Sequence, residues 1–455
     1  MLKLIANNKN NSYDPLIPGA YLLRAASVGE RCNIFAAEDI YNAKDVLLAP
    51  KDILISPELA NVIHQQRLKN PIENCLRLEH ELGAAELEKH FISILQTDDL
   101  LTAISEHQDI VPYIKHYLTP YEKFPSLKQK ITIMALTMPE VFLRTIYCSW
   151  FALLIAKEMK FSERGCVDVF LAALSHDIGM LHLNAYVLEK KPELSPEDWR
   201  HIQEHVSIGA QLLQQMSGMP SEVIEAVYEH HERCDGTGYP KGKVESELTY
   251  AGKIVGLADS LIAIYRNRFQ HNQHNQHNQR NWRDVIPVIQ MNAQAYFYRH
   301  DEILATIWRR SEMPFKNIIQ GDDLPEFVAA LFVENERLNS WFEILRDSLL
   351  SIGFTHGDRR LHALQNIMLH VTTSVKGSGV FSAELDQWLH DVELNGEDDS
   401  YRKIEKAHIQ QQEILFHLQR LNRMLQFYLD SDHFKKIDIK ESLLKTLDRV
   451  KRFST

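Results

Sequence analysis

Three short motifs concentrate histidine and aspartate residues in the middle of the chain. The first is HDIG at residues 176–179, and the second is His205 with Gly209 one turn later. The third is HHERCDGTGYP at residues 230–240, which follows an amphipathic helical pattern. A lone histidine is usually a surface residue or a satisfied core residue, so three such motifs within one segment indicate a shared chemical site.

These residue types are ligands of divalent transition metals. Neutral imidazole donates a nitrogen lone pair, whereas a carboxylate supplies negative charge and can bridge two ions, a role that suits Asp177. Asp259 lies in an apolar segment, KIVGLADSLI at residues 253–262, where an unpaired carboxylate is costly to bury. The sequence therefore predicts a metal ion or another strong partner for Asp259. The alternative is a structural aspartate held by an arginine or a lysine.

A glycine-rich turn follows the paired histidines. Gly236 and Gly238 permit a tight loop whose backbone can lie close to a ligand or a protein partner. A purely structural loop is the alternative, and a contact between Tyr239 and a substrate is left open.

The length and composition of the chain indicate which elements must position these residues. At 455 residues the chain is longer than one ordinary core, and its 45% hydrophobic and 24% charged residues are typical of a globular protein. The helical spacing of apolar residues predicts a mainly α protein. The predicted parts are a mixed α/β accessory or sensory region, a helical domain that carries the motifs, a low-complexity linker and a C-terminal helical bundle, at residues 1–120, 121–269, 270–280 and 281–455.

Local patterns refine this organisation. Residues 44–55 combine apolar clusters with Pro and Asp, which favours strands and turns. The linker repeats His-Asn-Gln, and a solvated segment is favoured over weak metal binding by His271, His274 and His277. The bundle is predicted from helical patterns near residues 283–310, 324–350, 357–375 and 401–430. The apolar stripe of its last helix is expected to pack in the core, with a homodimer contact as the alternative.

Charge, cysteine content and hydropathy argue against several classes of protein. A net charge of −11 and a pI near 6.1 disfavour a nucleic-acid polymer as partner, because phosphate backbones bind clustered Lys and Arg. The five cysteines are scattered without a CxxC pair, which predicts reduced thiols. No apolar run approaches the roughly 18 to 20 residues that cross a bilayer, and the first residues do not resemble a signal peptide. We therefore expect a cytoplasmic protein without membrane contact.

Residues 136–268 resemble the HD-GYP domain, a bacterial family of helical hydrolases that cleave cyclic di-GMP. The HD pair, the downstream His-x3-Gly, the double His with Asp-Gly-x-Gly-Tyr-Pro and the later Ala-Asp pair occur in the order of the family. The likeness covers about a third of the chain. It implies an all-helical HD-type core and a cyclic di-GMP phosphodiesterase that acts in second-messenger signalling.

The resemblance also implies a metal cofactor. It implies two divalent transition metals, most commonly iron or manganese, with Glu140 associated with a third position. The implied ligands of the central ions are His176, Asp177, His205, His230, His231 and Asp259. His176 and Asp177 are the implied catalytic residues, with Asp177 linking the two ions. In such a site, hydroxide held between the ions attacks phosphorus in line, and the product is linear pGpG or GMP.

Substrate and partner contacts are implied by the same family pattern. The substrate is a cyclic dinucleotide, and Arg268 stands where the family has an arginine after its last helix. The implied contacts of this kind are Arg268 and the loop residues Asp235, Gly236, Gly238, Tyr239 and Pro240. The Gly-Tyr-Pro loop further suggests contact with a signalling protein such as a diguanylate cyclase.

Two residues depart from the family pattern. Arg144 stands where the family has a metal-binding histidine, and Met180 stands where it has a lysine that reaches the substrate phosphate. Arginine stays charged and only donates hydrogen bonds, so it cannot ligate a cation. Either Arg144 pairs with Glu140 or Asp177 and takes the space of one ion, or it points away and Glu140 completes a smaller site. The first arrangement is favoured.

These departures leave three hypotheses for the activity. The favoured one is an active phosphodiesterase that uses a two-metal site. The second is a catalytically degenerate module that binds a nucleotide or a protein partner, because a lost charged phosphate contact costs about 1.5 to 3 kcal/mol of binding. The third is a hydrolase of another phosphorylated substrate, since a fold does not fix a function.

Overall fold

The computed structural model describes residues 13–96, 99–107, 113–189, 195–266, 282–310, 324–395, 398–430 and 437–453. These residues are mostly helical with a few short strands, which confirms the predicted mainly α class. They divide into two compact units, and the first comprises the chain up to Ile262 with two short later segments. The region before residue 121 and the helices that carry the motifs both belong to this unit, so a functional boundary at residue 120 stays a prediction.

The first part of this unit is mixed α/β, as predicted. Two antiparallel strand pairs form, β1 with β4 and β2 with β3, and Ile34 lies opposite Leu78 in the first pair. Ser56 begins the second helix, because its hydroxyl accepts the amide hydrogen of Leu59 at 3.2 Å. The elements are α1 (Gly19–Ala26), β1 (Ile34–Ala36), β2 (Ile40–Tyr41), β3 (Leu47–Ala49), α2 (Pro57–His64) and β4 (Leu76–Leu78).

The remainder of the first unit is helical. Its helices are α3 (Ala84–Leu95), α4 (Asp99–His107), α5 (Ile114–Leu118), α6 (Pro125–Thr137), α7 (Pro139–Glu158), α8 (Glu163–Ser175), α9 (Ala185–Glu189), α10 (Pro196–Gln214), α11 (Ser221–Glu229) and α12 (Tyr250–Ile264). Helix α8 packs against α7 and α11, and α10 packs against α11. This packing brings together the segments that carry the three motifs.

Serine caps fix where two of these helices begin. The Ser162 hydroxyl accepts the amide hydrogen of Gly165 at 3.2 Å at the start of α8. Ser195 and Asp198 form a reciprocal capping box at the start of α10, with Asp198 N donating to Ser195 Oγ at 3.1 Å and Ser195 N donating to Asp198 Oδ2 at 2.9 Å. These caps set the phase of each helix and therefore the direction in which its histidine points.

Helix α7 is long and apolar enough to pass a length and composition test for a membrane span, with a hydropathy of 1.3. However, 67% of that window is buried inside the structure, as in the core helix of a globular protein. Among the described residues it is the single helix that meets this test. A cytoplasmic location stays a prediction.

The second unit is a helical bundle, as the sequence predicts. Its central cluster includes Leu338, Trp341, Leu345 and Leu361. The apolar stripe of the long helix over 398–430 packs into the cores of this unit, as expected, through Ile404, Ile414, Leu418, Leu421 and Leu425. The helices after residue 281 are α13 (Val285–Met291), α14 (His300–Arg309), α15 (Leu324–Ser351), α16 (Arg359–Ser378), α17 (Ala383–Asn395), α18 (Asp398–Asp430) and α19 (Ile437–Val450).

Two predictions concern positions outside the described residues. The linker predicted over residues 270–280, with its histidines, lies outside them, and so does Arg268. The single helical stretch predicted near 283–310 consists of two helices, α13 and α14, because residues 292–299 adopt turns and a short 3-10 segment between them.

Candidate metal centre

Four helices carry the predicted ligands to one place. His176 caps the C-terminal end of α8 and Asp177 follows it, and His230 and His231 hold the same positions after α11. His205 lies within α10 and Asp259 within α12. Two groups have ligand atoms within 4.8 Å of one another, and these are His205, His230 and His231, and His176, Asp177 and His230.

Three of the imidazoles are oriented by the same backbone contact. The Nδ1 atoms of His176, His205 and His230 lie 2.7, 2.6 and 2.7 Å from the carbonyl oxygen three residues earlier. Because a carbonyl only accepts, Nδ1 carries the proton in each ring and Nε2 points toward the centre. This is the tautomer that a metal-binding histidine needs.

The rings of His205 and His230 face each other through their Nε2 atoms, which are 3.3 Å apart. Burial lowers the pKa of His205, and burial together with His176 and His205 lowers the pKa of His230 to about 3. Burial and His230 also hold the pKa of His231 well below its ordinary value. Neutral rings with opposed lone pairs have no proton to share, so a divalent cation between them fits this arrangement.

Asp177 presents one carboxylate oxygen to each side of the centre. Its Oδ1 atom lies 3.4 Å from His205 Nε2 and has no hydrogen-bond partner within the described part of the chain. Its Oδ2 atom lies 3.2 Å from His176 Nε2 and pairs with Arg144. The side chain is fully buried, so both oxygens depend on these neighbours for their stabilisation.

Arg144 on α7 occupies the side of the centre next to Asp177 Oδ2. Its guanidinium pairs with Asp177, and its Nε lies 3.6 Å from Asp259 Oδ1. This is the first of the two arrangements expected for Arg144. Burial acts against the charge of both carboxyl groups, but Arg144 outweighs it and lowers the pKa of Asp177 and of Asp259. Burial likewise opposes protonation of His176, but the neighbouring carboxylate of Asp177 raises its pKa to about 10.

Two further sequence-predicted positions lie at the margin of the centre. Glu140 is exposed in the first turn of α7 and belongs to neither of the two groups found among the described residues. Its placement therefore gives no support to a role as ligand. Met180 is partly buried in the 3-10 turn that follows Asp177, where its side chain offers no charge to a phosphate.

The loop after His231 folds back against the centre. The Tyr239 ring stacks on His231 with centroids 4.7 Å apart and planes at 26°. Asp235 Oδ1 accepts hydrogen bonds from the amide and hydroxyl of Thr237 at 2.8 and 2.6 Å, which closes a turn. Gly236 has a φ of 78°, and a Cβ on Gly238 would lie 2.3 Å from the backbone nitrogen of Arg233. Glycine is thus required at both positions.

Two buried glutamates that the sequence analysis did not single out hold this loop. Glu232 accepts the amide hydrogens of Lys241 at 2.6 Å and of Lys243 at 2.9 Å. Glu229 pairs with the Lys243 ammonium and accepts the amide hydrogen of Thr249 at 2.9 Å. The available signal was an acidic residue on each side of the histidine pair, which becomes informative only when both are known to be buried.

The substitution Glu229→Gln is expected to lower the free energy of unfolding by about 2 kcal/mol, because it leaves the Lys243 ammonium without its anionic partner in a buried site. Urea denaturation followed by circular dichroism measures this change. The control is Glu225→Gln, an exposed position one turn earlier on α11, which we expect to change stability by less than about 0.5 kcal/mol. Equal values for the two variants would contradict the role assigned to Glu229.

Comparisons with known proteins place the centre in an HD-type segment. Residues 128–280 match the family model described as HD domain. A cyclic di-GMP phosphodiesterase of Thermotoga maritima is 32% identical over 159 residues, which cover 34% of this chain and 43% of that protein. The 3'3'-cGAMP-specific phosphodiesterase 3 of Vibrio cholerae is 25% identical over 252 residues, which cover 54% of this chain and 49% of that protein.

A solved structure of a HDG"Y"P protein from Bdellovibrio bacteriovorus aligns with 61% of this chain and 94% of that chain, at 15% identity and a TM-score of 0.32. A TM-score this low supports no structural argument. The family match and the two phosphodiesterases confirm the resemblance to HD-type hydrolases for the matched segment. The alignments span less than half the length of these two phosphodiesterases.

Proposed function

We propose that the HD-type helices form a metal-dependent phosphodiesterase that hydrolyses a cyclic dinucleotide, with cyclic di-GMP as the first candidate and 3'3'-cGAMP as the second. The observation that carries the proposal is the pair of opposed Nε2 atoms of His205 and His230, 3.3 Å apart, beside the unpartnered Oδ1 of Asp177. Three buried lone-pair donors that converge without a proton form a site for a cation. The substrate class follows the names of the relatives that share this segment.

The proposed roles follow from the contacts of each side chain. His205, His230 and His231 hold a divalent transition metal, iron or manganese, and Asp177 adds a carboxylate oxygen. A cation bound there lowers the pKa of water and stabilises negative charge on a phosphoryl group. The carbonyl contacts of Nδ1 keep His205 and His230 in their metal-binding tautomer. His176 and Asp259 neutralise and orient the far side of Asp177.

The loop over 235–240 is the proposed rim of the substrate site. Tyr239 lies against His231, so an aromatic face stands next to the centre where a nucleobase or ribose can pack. Asp235, Gly236, Gly238 and Pro240 shape this rim, and Arg268 is proposed as a phosphate contact. The same loop is the proposed contact for a signalling partner such as a diguanylate cyclase.

A turnover assay tests the proposal directly. Purified chain is loaded with Fe(II) or Mn(II) under anaerobic conditions and incubated separately with cyclic di-GMP and 3'3'-cGAMP, and linear dinucleotide and mononucleotide are resolved by chromatography. We expect metal-dependent release of a linear dinucleotide from at least one of the two. No product above an Asp177→Asn control for either compound would reject the phosphodiesterase.

A second function is favoured by Arg144 and Met180. If the guanidinium that pairs with Asp177 and the missing lysine prevent turnover, the domain is a non-hydrolysing module that binds nucleotide or protein. Calorimetric binding of cyclic di-GMP by an inert parent protein, together with activity restored by the double substitution Arg144→His and Met180→Lys, is the result expected for that module. Turnover by the unmodified chain rejects it.

Removal of metal is expected to lower the thermal stability of the protein. A ligand present at 1,000 times its Kd stabilises the folded state by about 4 kcal/mol, so chelation should lower the Tm by several degrees. Differential scanning fluorimetry with and without EDTA measures the shift. His205→Ala should abolish the metal-dependent shift, whereas His201→Ala, one turn earlier on α10 and paired with Glu204, should retain it. An undiminished shift in His205→Ala would contradict the proposed ligand set.

A further inference from the structure

We propose that Arg144 replaces one cation of this centre, so that each chain binds a single divalent metal at His205, His230 and His231 instead of two. The inference rests on the metal binding in the proposed function and does not depend on turnover. It concerns the number of ions, which ligand types alone do not determine.

The contacts of Arg144 carry the first step. Its guanidinium pairs with Asp177 Oδ2, and its Nε lies 3.6 Å from Asp259 Oδ1. His176 Nε2 faces the same two oxygens, at 3.2 and 3.7 Å. These three atoms are the donors that a second ion would use, and the guanidinium already lies against both carboxylates.

The opposite side of Asp177 differs. Its Oδ1 faces His205 Nε2 at 3.4 Å, and His205 Nε2 faces His230 Nε2 at 3.3 Å. Within the described ranges, Asp177 Oδ1 makes no hydrogen bond. The side chain of Asp177 thus separates an oxygen that is paired with a fixed positive charge from an oxygen that remains available to a metal ion.

Electrostatics keep the two sides distinct. An arginine does not lose its proton in a protein, so it cannot make room for a cation by becoming neutral. Burial opposes the charge of Arg144, but Asp177 and Asp259 outweigh it and raise its pKa further. A second divalent ion among these carboxylates would lie within a few ångströms of the guanidinium in a buried, weakly screened site, where like charges repel strongly.

Metal content per chain tests the inference. The protein is loaded with Mn(II), passed through a desalting column and analysed by inductively coupled plasma mass spectrometry against protein concentration. All variants carry His271→Gln, His274→Gln and His277→Gln, which removes ions bound by the His-Asn-Gln repeat. We expect one ion per chain in this background and none after His205→Ala with His230→Ala.

Substitutions at Arg144 distinguish charge from fold. Arg144→His should bind two ions, because it exchanges a cation for a ligand, and Arg144→Lys should bind one, because it keeps the charge. The matched control is Arg164→His on α8, whose exposed arginine lies 3.8 Å from Asp168 and away from the centre, and it should bind one ion. One ion in Arg144→His would overturn the role of Arg144, as would two ions in the parent.

Electron paramagnetic resonance tests the same point without a change at Arg144. An isolated Mn(II) gives a six-line spectrum, whereas two ions that share a carboxylate bridge give an exchange-coupled spectrum. The six-line form is expected for the parent protein, and a coupled spectrum would overturn the inference. One ion without turnover would reject the phosphodiesterase but support this inference, whereas absence of bound metal would reject both.

Discussion

Asp177→Asn is expected to reduce hydrolysis of cyclic di-GMP by metal-loaded protein at least about 1,000-fold. Asparagine has nearly the shape of aspartate but carries no charge, so it cannot supply the negative oxygen that faces His205 Nε2. The substitution also leaves Arg144 without the partner that holds it on its side of the centre. We expect both effects to act on metal binding and on turnover together.

The measurement is the rate of linear dinucleotide release at saturating substrate, with metal content determined on the same sample. Asp168→Asn is the matched control, because Asp168 lies on α8 but faces Arg164 instead of the centre. It should retain activity within a few-fold of the parent. Circular dichroism verifies that both variants are folded. More than a tenth of the parent activity in Asp177→Asn would contradict the role given to this carboxylate.

Gly179→Ala is expected to destabilise the first unit by about 3 kcal/mol or more and to disperse the metal centre. A Cβ at this position would lie 2.0 Å from the backbone carbonyl oxygen of His205 and 2.8 Å from the backbone nitrogen of Gly209. These neighbours are main-chain atoms of α10, so a side-chain rotation cannot relieve the clash. The turn that carries Asp177 must instead move away from the helix that carries His205.

Urea denaturation and metal content test this expectation together. Gly165→Ala is the control in the same unit, because a Cβ there meets only the flexible side chains of Phe161 and Ser162, at 3.1 and 3.4 Å. We expect it to change the free energy of unfolding by less than about 1 kcal/mol and to leave metal binding intact. If Gly179→Ala bound metal with unchanged stability, the close approach of the two elements would not be essential.

The helical elements were largely predictable, because apolar periodicity is a property of short segments. The pattern near 324–350 predicts α15 (Leu324–Ser351), and that near 401–430 predicts most of α18 (Asp398–Asp430). The pairing of β1 with β4 was not predictable in this way. It joins Ile34 to Leu78, and the hydrogen bonds between such distant residues depend on the packing of everything between them.

The centre itself was predictable in its membership but not in its wiring. His176, Asp177, His205, His230, His231 and Asp259 were all singled out from the sequence, and the structure brings them together. Glu229 and Glu232 were missed because a glutamate in a helical pattern is usually solvent-exposed. Their function in holding the loop arises only from burial against backbone amides that lie further along the chain.

The sequence by itself determined which side chains can donate to a cation and that helices carry them, since donor chemistry and periodicity belong to individual residues and short segments. Only the tertiary structure decided that Asp177 divides its two oxygens between Arg144 and His205. The physical reason is that a long arginine side chain can reach several carboxylates, and the packing of α7 beside α8 and α12 selects which ones it meets.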